Sequence, residues 1–217
     1  MNILRPDSLS FPDHRVANRE GLLALGGDLS VPRLLLAYRS GIFPWTDEPL
    51  TWWSPDPRAI FDINSFRPPQ RLESKLRRNP FELTFDRDFA SVIRACAEPA
   101  PGRESTWISR RFIEAYAELH RQGHAHSVEV WRNNQLVGGV YGVAINGFFA
   151  GESMFHRETD ASKIALCRLM DHLRARKFDL FDTQVLSPLT ARLGAIEIRR
   201  HDYLNQLGRA LRNPTHF

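Results

Sequence analysis

The chain has 217 residues, of which 42% are hydrophobic and 25% are charged, and its formal net charge is +4. These values are typical of a globular protein with a buried core, and they exclude a strongly basic chain of the histone kind. Since no apolar run is long enough to span a membrane and the N-terminus lacks an apolar signal core, we expect a cytoplasmic protein. Cys96 and Cys167 are expected to be reduced core thiols.

The first sixty residues contain one clear helix signal. Ser30 is a typical N-cap, Pro32 would lie in the first turn, and Gly41 is a typical stop. We therefore predict a helix between Ser30 and Gly41.

Three of the five tryptophans follow this helix within nine residues, among several prolines. The tryptophans are Trp45, Trp52 and Trp53, and the prolines are Pro44, Pro49, Pro55 and Pro57. Because proline breaks long helices and is excluded from central strands, we expect an irregular loop here. Flat indoles on a stiff loop are good platforms for stacking a nucleobase, which makes this segment a candidate binding site.

A basic segment follows a candidate domain boundary. Arg67-Pro68-Pro69 interrupts the chain between two units, and a short helix is predicted over residues 71–78. Its basic residues are Arg71, Lys75, Arg77 and Arg78. Such a group is most often a solvated helix face, but beside a cluster of indoles it is also consistent with a nucleic-acid footprint.

The rest of the chain contains further helices and a run of strands. Helices are predicted over residues 88–97, from Ser109 to Gly123, from Asp160 or Ser162, and from about residue 202. Strands are predicted over residues 81–85, 127–131, 135–145, 148–155, 178–186 and 195–199, with turns at Asn133-Asn134 and Asn146-Gly147. This order predicts an α+β fold in which helices pack on a mixed sheet, after a smaller N-terminal unit.

Acidic side chains occur at two places within otherwise apolar strands. Asp182 and Gln184 are two residues apart and would point to the same face, and Glu152 lies in the returning strand of a hairpin. Buried polar groups need partners, since each unpaired group costs about 1–3 kcal/mol. The structural alternatives are a polar pair that caps a turn for Asp182 and Gln184, and a salt bridge for Glu152. The functional alternative for Glu152 is to hold an ammonium group.

Several familiar motifs are absent from the sequence. It contains no G-x-G-x-x-G and no G-x-x-x-x-G-K-[ST], so neither a dinucleotide loop nor an ATP phosphate loop is supported. Gly-Glu-Ser-Met-Phe is not a nucleophile elbow, which requires G-x-S-x-G. His124 and His126 would share a face in a strand, but no acid or cysteine pattern accompanies them, so we predict no metal site.

Short strings along nearly the whole chain resemble the bacterial leucyl/phenylalanyl-tRNA–protein transferase family, in order and at similar spacing. They are GLLALGGDLS (21–30), AYRSGIFPW (37–45), WWSPDPR (52–58), TWIS (106–109), AYAELHRQGHAHSVEVW (115–131), LVGGVYGVA (136–144), GESMF (151–155), ASKIAL (161–166) and FDTQVL (181–186). The resemblance implies transfer of Leu, Phe or Met from aminoacyl-tRNA to the N-terminal Lys or Arg of acceptor proteins. That transfer marks the acceptor for degradation.

The resemblance also implies an architecture and a set of partners. It divides the chain into a small N-terminal domain, residues 1–62, and a catalytic domain, residues 63–217, with a sheet similar to that of acetyl-CoA N-acetyltransferases. We expect no metal, ATP or other cofactor, and no binding to a membrane. The enzyme would be a monomer. The tRNA would be contacted mainly at its 3′ end, with further phosphate contacts from the basic residues Arg71, Lys75, Arg77 and Arg78.

By the same resemblance, the catalytic pair is Asp182 and Gln184, and Glu152 is the acid that contacts the substrate. The substrate site would also include Tyr38, Trp45, Trp107, Tyr116, Val140, Met154, Leu169 and Phe181. Trp45 would lie where the 3′-terminal adenosine binds, and the other two clustered indoles would be wedges between the domains. Three positions depart from the family pattern, and they bear on amino-acid preference and acceptor contacts. Val140 stands where the family often has Met, Leu189 where it usually has His, and Arg192 where it often has Ser.

A mechanism follows from the chemistry of the substrates. The aminoacyl ester is already activated, and an α-amine has a pKa of about 7.7–8.0, so no strong base is required near pH 7. Proximity can supply much of the rate. We expect Asp182 to orient Gln184, and Gln184 to accept a hydrogen bond from the attacking amine. The released proton would go to water or to the ribose leaving oxygen.

Two other classes of function remain open from the sequence. An acetyl-CoA-dependent acyltransferase would share the fold, but it should carry a glycine-rich turn before the long helix, and HRETDASK (156–163) is not one. A non-catalytic RNA-binding module would explain the indoles and the basic helix. It would not explain an acid beside an apolar pocket.

Overall fold

The computed structural model describes residues 2–78, 81–100 and 105–217, and these residues form two β-sheets with helices packed on them. The smaller sheet consists of β1 (Asn2–Leu4), β2 (Leu22–Gly26), β3 (Phe43–Asp47) and β4 (Leu50–Trp53). Its spatial order is β1–β2–β4–β3. β1 runs parallel to β2, and the other pairs are antiparallel.

Helix α1 (Val31–Arg39) connects β2 to β3 and confirms the helix predicted in this region. Ser30 is its N-cap and Pro32 lies in its first turn. Gly41 follows the helix with a φ of +71°, a left-handed conformation that glycine adopts without steric cost. The chain can therefore turn directly from α1 into β3.

The tryptophan-rich segment is not an irregular loop, because it forms β3 and β4, and β4 is a central strand. The prediction is wrong because no proline falls within β4. Pro44 lies on the edge strand β3, Pro49 precedes β4, and the other two prolines follow it. Trp52 is fully buried on β4, and its indole nitrogen donates to the carbonyl oxygen of Gly26 at 2.9 Å.

The larger sheet is mixed and has seven strands. They are β5 (Arg58–Phe61), β6 (Glu82–Phe85), β7 (Ala125–Arg132), β8 (Gln135–Ile145), β9 (Phe148–His156), β10 (Leu180–Gln184) and β11 (Ile196–Ile198). Their order is β11–β5–β10–β9–β8–β7–β6, and β10 runs parallel to β9 while the other pairs are antiparallel. This architecture confirms the predicted α+β class. β5 was not predicted, because all four of its residues are buried and no polar–apolar alternation marks it.

Helices cover both faces of this sheet. After α1 they are α2 (Gln70–Arg77), α3 (Phe89–Ala97), α4 (Arg110–Arg121), α5 (Ala161–Ala175), α6 (Pro188–Arg192) and α7 (Arg200–Ala210). One apolar cluster joins the smaller sheet with α1, α3, α4 and α7, and a second lies under α5. Alternate residues of β9 enter the two clusters, with Phe148 and Ala150 in the first and Phe149 in the second.

The predicted division of the chain at residues 62/63 stays a prediction. β5 precedes that point, yet it pairs with β10 and β11 of the larger sheet, which favours a division ahead of Arg58. Cys96 and Cys167 are buried and reduced, as predicted. Of the helices in the described ranges, none combines the length and apolarity needed to cross a membrane.

Candidate active site

The site is built around an irregular end of β10. The backbone N–H of Gln184 donates to Oδ1 of Asp182 at 2.8 Å, and the pairing of β10 with β5 shifts register between these two residues. Gln184 takes a φ of +66°, a left-handed conformation that is uncommon for a residue with a side chain. Such backbone is often found at functional sites. Asp182 therefore caps this turn, as the structural alternative for Asp182 and Gln184 supposed.

Asp182 is fully buried and forms an ion pair with Arg58 of β5. Arg58 donates through Nε to Oδ1 at 2.9 Å and through Nη2 to Oδ2 at 2.7 Å, and the Tyr203 hydroxyl also donates to Oδ2 at 2.9 Å. Burial acts to lower the pKa of Arg58, but the Asp182 carboxylate more than offsets it, so the pKa is raised. With the Gln184 N–H, these donors give each Asp182 oxygen two hydrogen bonds.

The guanidinium of Arg58 packs against two aromatic rings. Its central carbon lies 4.8 Å from the ring centroid of Phe43 and 4.5 Å from that of Tyr203. Its Nη1 also donates to the carbonyl oxygen of Gly41 at 3.0 Å. Arg58 thus fixes Asp182 between the smaller sheet, the larger sheet and α7.

Glu152 of β9 is the second carboxyl group at the site, and its partners are neutral. It accepts hydrogen bonds from the hydroxyls of Tyr38 at 2.8 Å and Tyr116 at 3.0 Å, and from Nε2 of Gln184 at 2.9 Å. No Lys or Arg within the described ranges forms a salt bridge with it, so the salt-bridge alternative is wrong. Burial raises the pKa of Glu152 to about 7, the nearby Asp182 adds to the rise, and the three hydrogen bonds limit it.

An apolar cleft of about 200 Å³ opens beside Glu152. Its lining residues are Phe61, Val140, Gly151, Glu152, Ser153, Met154, Leu166, Phe181, Thr183, Val185, Ser187 and Thr190. The predicted pocket residues Val140, Met154 and Phe181 are among them. Leu169 is not, because it is only 1% exposed and lies in the core, and Leu166, one helical turn earlier on α5, lines the cleft instead.

A second cleft, of about 220 Å³, adjoins the first and is aromatic. Phe43, Pro44, Trp45 and Trp107 line it together with the segment 183–185, and Thr183 and Val185 line both clefts. Trp45 is 36% exposed, and its ring packs edge-on against Trp53, with centroids 5.1 Å apart. The predicted residues Trp45 and Trp107 are therefore together, whereas the predicted Tyr38 and Tyr116 lie buried behind Glu152.

Residues 60–208 match the model of the leucyl/phenylalanyl-tRNA protein transferase family, and residues 27–56 match the N-terminal domain of the same family. The chain belongs to this family. It is 51% identical over 204 residues to the leucyl/phenylalanyl-tRNA–protein transferase of Solidesulfovibrio magneticus, covering 93% of this chain and 83% of that one. It is 50% identical over 213 residues to that of Syntrophobacter fumaroxidans, covering 97% and 91%. The chain is accordingly an aminoacyltransferase.

Solved structures give only a slight likeness to this transferase. L-PGS from Bacillus licheniformis is 12% identical with a TM-score of 0.43, covering 77% of this chain and 54% of that one. A GCN5-related N-acetyltransferase-like protein from Streptococcus suis is 14% identical with a TM-score of 0.37, covering 73% and 60%. At these scores the likeness carries no argument about fold or function.

The basic residues predicted to bind tRNA lie on and after α2, away from both clefts. Lys75 is paired with Asp160 and Arg77 with Glu73 at 3.0 Å, whereas Arg71 and Arg78 form no salt bridge with the described residues. Lys75 and Arg78 line a groove of about 580 Å³. A further groove, which includes Met154, Arg157 and Thr159, shares lining residues with both this groove and the apolar cleft of the transferase.

The histidine pair considered for a metal is not assembled into a metal site. His126 contacts Asp86 through Nδ1 at 2.7 Å, and no cluster of three or more His, Cys, Asp or Glu residues suited to a metal occurs within the described ranges. Whether the transferase uses a cofactor stays a prediction from the resemblance.

Arg58 and Tyr203 are the residues of this site that sequence reasoning missed. Arg58 had a usable signal, since a carboxylate buried in an apolar strand requires a partner, and an Arg closes the WWSPDPR string. Tyr203 had none, because a tyrosine near the start of a helix is equally consistent with simple core packing.

Proposed function

We propose that this transferase moves Leu, Phe or Met from aminoacyl-tRNA to the N-terminal Lys or Arg of acceptor proteins and so marks them for degradation. The observation that carries the proposal is the junction of an apolar cleft and an aromatic cleft at residues 183–185, with Glu152 and Gln184 beside it. An aminoacyl-adenosine has an apolar side chain and a flat base on either side of one ester. These two clefts suit those two parts.

The apolar cleft supports the choice of amino acid. Its inner wall consists of Phe61, Val140, Leu166 and Phe181, with Met154 beside them, and it has no charged group other than Glu152. A wall of this kind accepts Leu, Phe and Met, and it discriminates among apolar side chains by about 1–3 kcal/mol per methylene. Val140 leaves more room than the Met often found in the family, which favours larger side chains.

The aromatic cleft supports binding of the tRNA 3′ end. In this proposal the terminal adenine stacks on Trp45, which is partly exposed, with Trp107 on the same cleft. The ester carbonyl then lies near the 183–185 segment. Nε2 of Gln184 donates to Glu152, which leaves Oε1 of Gln184 without a hydrogen bond among the described residues and able to accept one from an amine.

The proposed reaction needs positioning more than strong catalysis. The nitrogen lone pair of the acceptor α-amine attacks the ester carbonyl carbon, the C–N bond forms, and the C–O bond to ribose breaks with its electrons on oxygen. Asp182 contributes through the backbone of Gln184, whose N–H it accepts, rather than through the Gln184 side chain. Effective molarities of about 10⁵–10⁸ M in well-oriented reactions make this sufficient.

The test is transfer of radiolabelled amino acid from aminoacyl-tRNA to a peptide with an N-terminal Arg. Wild-type protein should transfer Phe, Leu and Met but transfer Ala poorly, and an acetylated peptide should accept nothing. Gln184→Gly, which suits a positive φ, should lower turnover strongly. Gln135→Ala, at the exposed first residue of β8, is the matched control and should be unaffected. Equal use of Ala and Phe, or near-full turnover in Gln184→Gly, would contradict the proposal.

A further inference from the structure

Three oxygen-bearing side chains behind the apolar cleft touch one another in a closed ring. The Tyr38 hydroxyl contacts Oε1 of Glu152, the Tyr116 hydroxyl contacts Oε2, and the two hydroxyls contact each other. Tyr38 is 1% exposed and Tyr116 is 0% exposed, so their hydroxyls are held inside the protein rather than by water. The ring has three contacts between oxygen atoms, and each contact needs one proton to be a hydrogen bond.

The number of protons in the ring depends on the charge of Glu152. Each tyrosine hydroxyl supplies one proton. When Glu152 is ionised, two protons serve three contacts, and one pair of oxygens faces each other without a proton. When Glu152 is protonated, its own O–H supplies the third, and every contact becomes a hydrogen bond. The ring therefore has a place prepared for one additional proton.

Asp182, the other carboxyl group of the site, has no contact that lacks a proton. Its two oxygens already accept hydrogen bonds from Arg58, Tyr203 and the Gln184 backbone, and one of these partners carries a fixed positive charge. Two carboxyls in one site with opposite environments have different roles, and the one with neutral partners is the one that exchanges a proton. Glu152 also lines the apolar cleft, whereas Asp182 is 0% exposed.

We infer that Glu152 is the group that takes the proton from the attacking amine, and that Tyr38 and Tyr116 hold its carboxyl in place to receive that proton. This inference rests on the proposed function. The acceptor ammonium gives one proton to the Glu152 carboxylate, and the neutral amine attacks the ester carbonyl. The second proton lost by nitrogen goes to the ribose oxygen as the C–O bond breaks. Glu152 then returns its proton to water, so that charge and atoms balance.

The surroundings of Glu152 suit this exchange near neutral pH. The groups around it are Tyr38 (α1), Tyr116 (α4), Arg58 (β5), Tyr141 (β8), and Asp182 and Gln184 (β10), and Cys96 (α3) faces Tyr141. Burial raises the pKa values of the three tyrosines well above the ordinary value, so they remain neutral hydroxyls. The pKa of Glu152, raised to about 7, is close to the 7.7–8.0 of an α-amine, so the proton is nearly balanced between the two.

The decisive experiment is the pH dependence of transfer to an Arg-initiated peptide, measured in single turnovers and corrected for ester hydrolysis. Glu152→Gln keeps the size of the side chain but cannot take a proton. At pH 7 it should lower the rate by up to about tenfold, because roughly a tenth of an α-amine with a pKa of about 7.7–8.0 is already neutral at that pH. Between pH 7 and 8 the rate of the variant should rise about four- to fivefold, as the amine becomes neutral without help. A defect that is constant with pH, or confined to KM, would overturn the inference.

Tyr116→Phe tests the ring of contacts among Tyr38, Tyr116 and Glu152. This test remains available if the Glu152→Gln variant does not fold. The substitution removes one of the donors that stabilise the ionised carboxylate, so the pKa of Glu152 should rise and the rising limb of the wild-type profile should move to higher pH. If the limb does not move, it does not report the ionisation of Glu152, and that result would overturn the inference.

Tyr141→Phe is the matched control for Tyr116→Phe. Tyr141 is fully buried and packs edge-on against Tyr116, and its hydroxyl has no hydrogen-bond partner among the described residues. It should keep the wild-type profile, and a shift equal to that of Tyr116→Phe would contradict the ring. Failure of the wild-type protein to transfer at any pH would instead refute the proposed function, so the two failures are distinguishable.

Discussion

Asp182 and Glu152 lie at one site, but their partners differ in charge. Asp182 is held by a guanidinium and has all its acceptor positions filled, whereas Glu152 is held by two hydroxyls and an amide. This difference assigns Asp182 to holding the backbone of Gln184 and leaves Glu152 as the group able to change charge. Gln184 connects the two, since its backbone N–H reaches one carboxyl and its side chain reaches the other.

At this scale, Arg58→Met should destabilise the protein by about 3–5 kcal/mol, because it leaves the Asp182 carboxylate buried without its counter-charge. Urea unfolding at pH 7 measures the change. The double variant Arg58→Met/Asp182→Leu removes both charges and should recover part of the loss. Arg110→Met, which breaks the exposed pair with Glu114, is the control and should cause no measurable loss. A similar effect for both arginines would contradict the role given to Arg58.

The β3–β4 hairpin places its three tryptophans in different environments. Neighbouring residues of a strand point to opposite faces, so Trp52 enters the core while Trp53 lies partly exposed beside Trp45. Trp52 also packs edge-on against Phe11, with centroids 4.9 Å apart. The hairpin is thus anchored in the core by Trp52 and presents Trp45 at the aromatic cleft.

For this element we predict opposite effects of two alanine substitutions. Trp52→Ala should cost about 3–5 kcal/mol in thermal or urea unfolding, since it empties a fully buried site. Trp45→Ala should leave unfolding nearly unchanged but raise KM for aminoacyl-tRNA by roughly 5- to 150-fold, the equivalent of about 1–3 kcal/mol of base stacking. Trp45→Phe keeps a ring for stacking and should restore part of the affinity. An unchanged KM in Trp45→Ala would remove Trp45 from the adenosine site.

Over the whole molecule, charge and the clefts are arranged on one connected surface. The groove beside Lys75 and Arg78 shares Arg157 and Thr159 with a further groove, which shares Met154 with the apolar cleft. A tRNA whose 3′ end occupied the clefts could therefore meet the basic residues with its phosphates. Half of the four predicted cations, Lys75 and Arg77, are already paired with acids, so Arg71 and Arg78 have the most charge to offer.

We predict that binding of uncharged tRNA weakens linearly in log K with log salt concentration. Arg71→Gln and Arg78→Gln should each lower the slope by about 1 if each contacts a phosphate. Lys75→Gln should lower it less, because Asp160 neutralises Lys75. Arg19→Gln, an exposed arginine in the turn before β2, is the control and should keep the wild-type slope. If Arg71 and Arg78 behave like Arg19, the tRNA does not follow this surface.

The sequence by itself determined the local structure and the candidate chemistry. Helix α1 follows from its N-cap, proline and glycine, and the hairpin turns follow from asparagines that take a positive φ, such as Asn133 and Asn146. Glu152 and Asp182 were identifiable because acids in apolar strands are costly without a partner. Family-like strings along the chain then indicated the class of enzyme.

Only the tertiary structure decided which groups meet. Arg58 and Asp182 are 124 residues apart, and Tyr38 and Glu152 are 114 apart, so no local pattern could pair them. The central position of β4 and the burial of Leu169 were not predictable for a similar reason. Both depend on which distant strands and helices pack against β4 and α5. Signals within a strand or helix act over a few residues, whereas a partner is selected by the packing of distant elements.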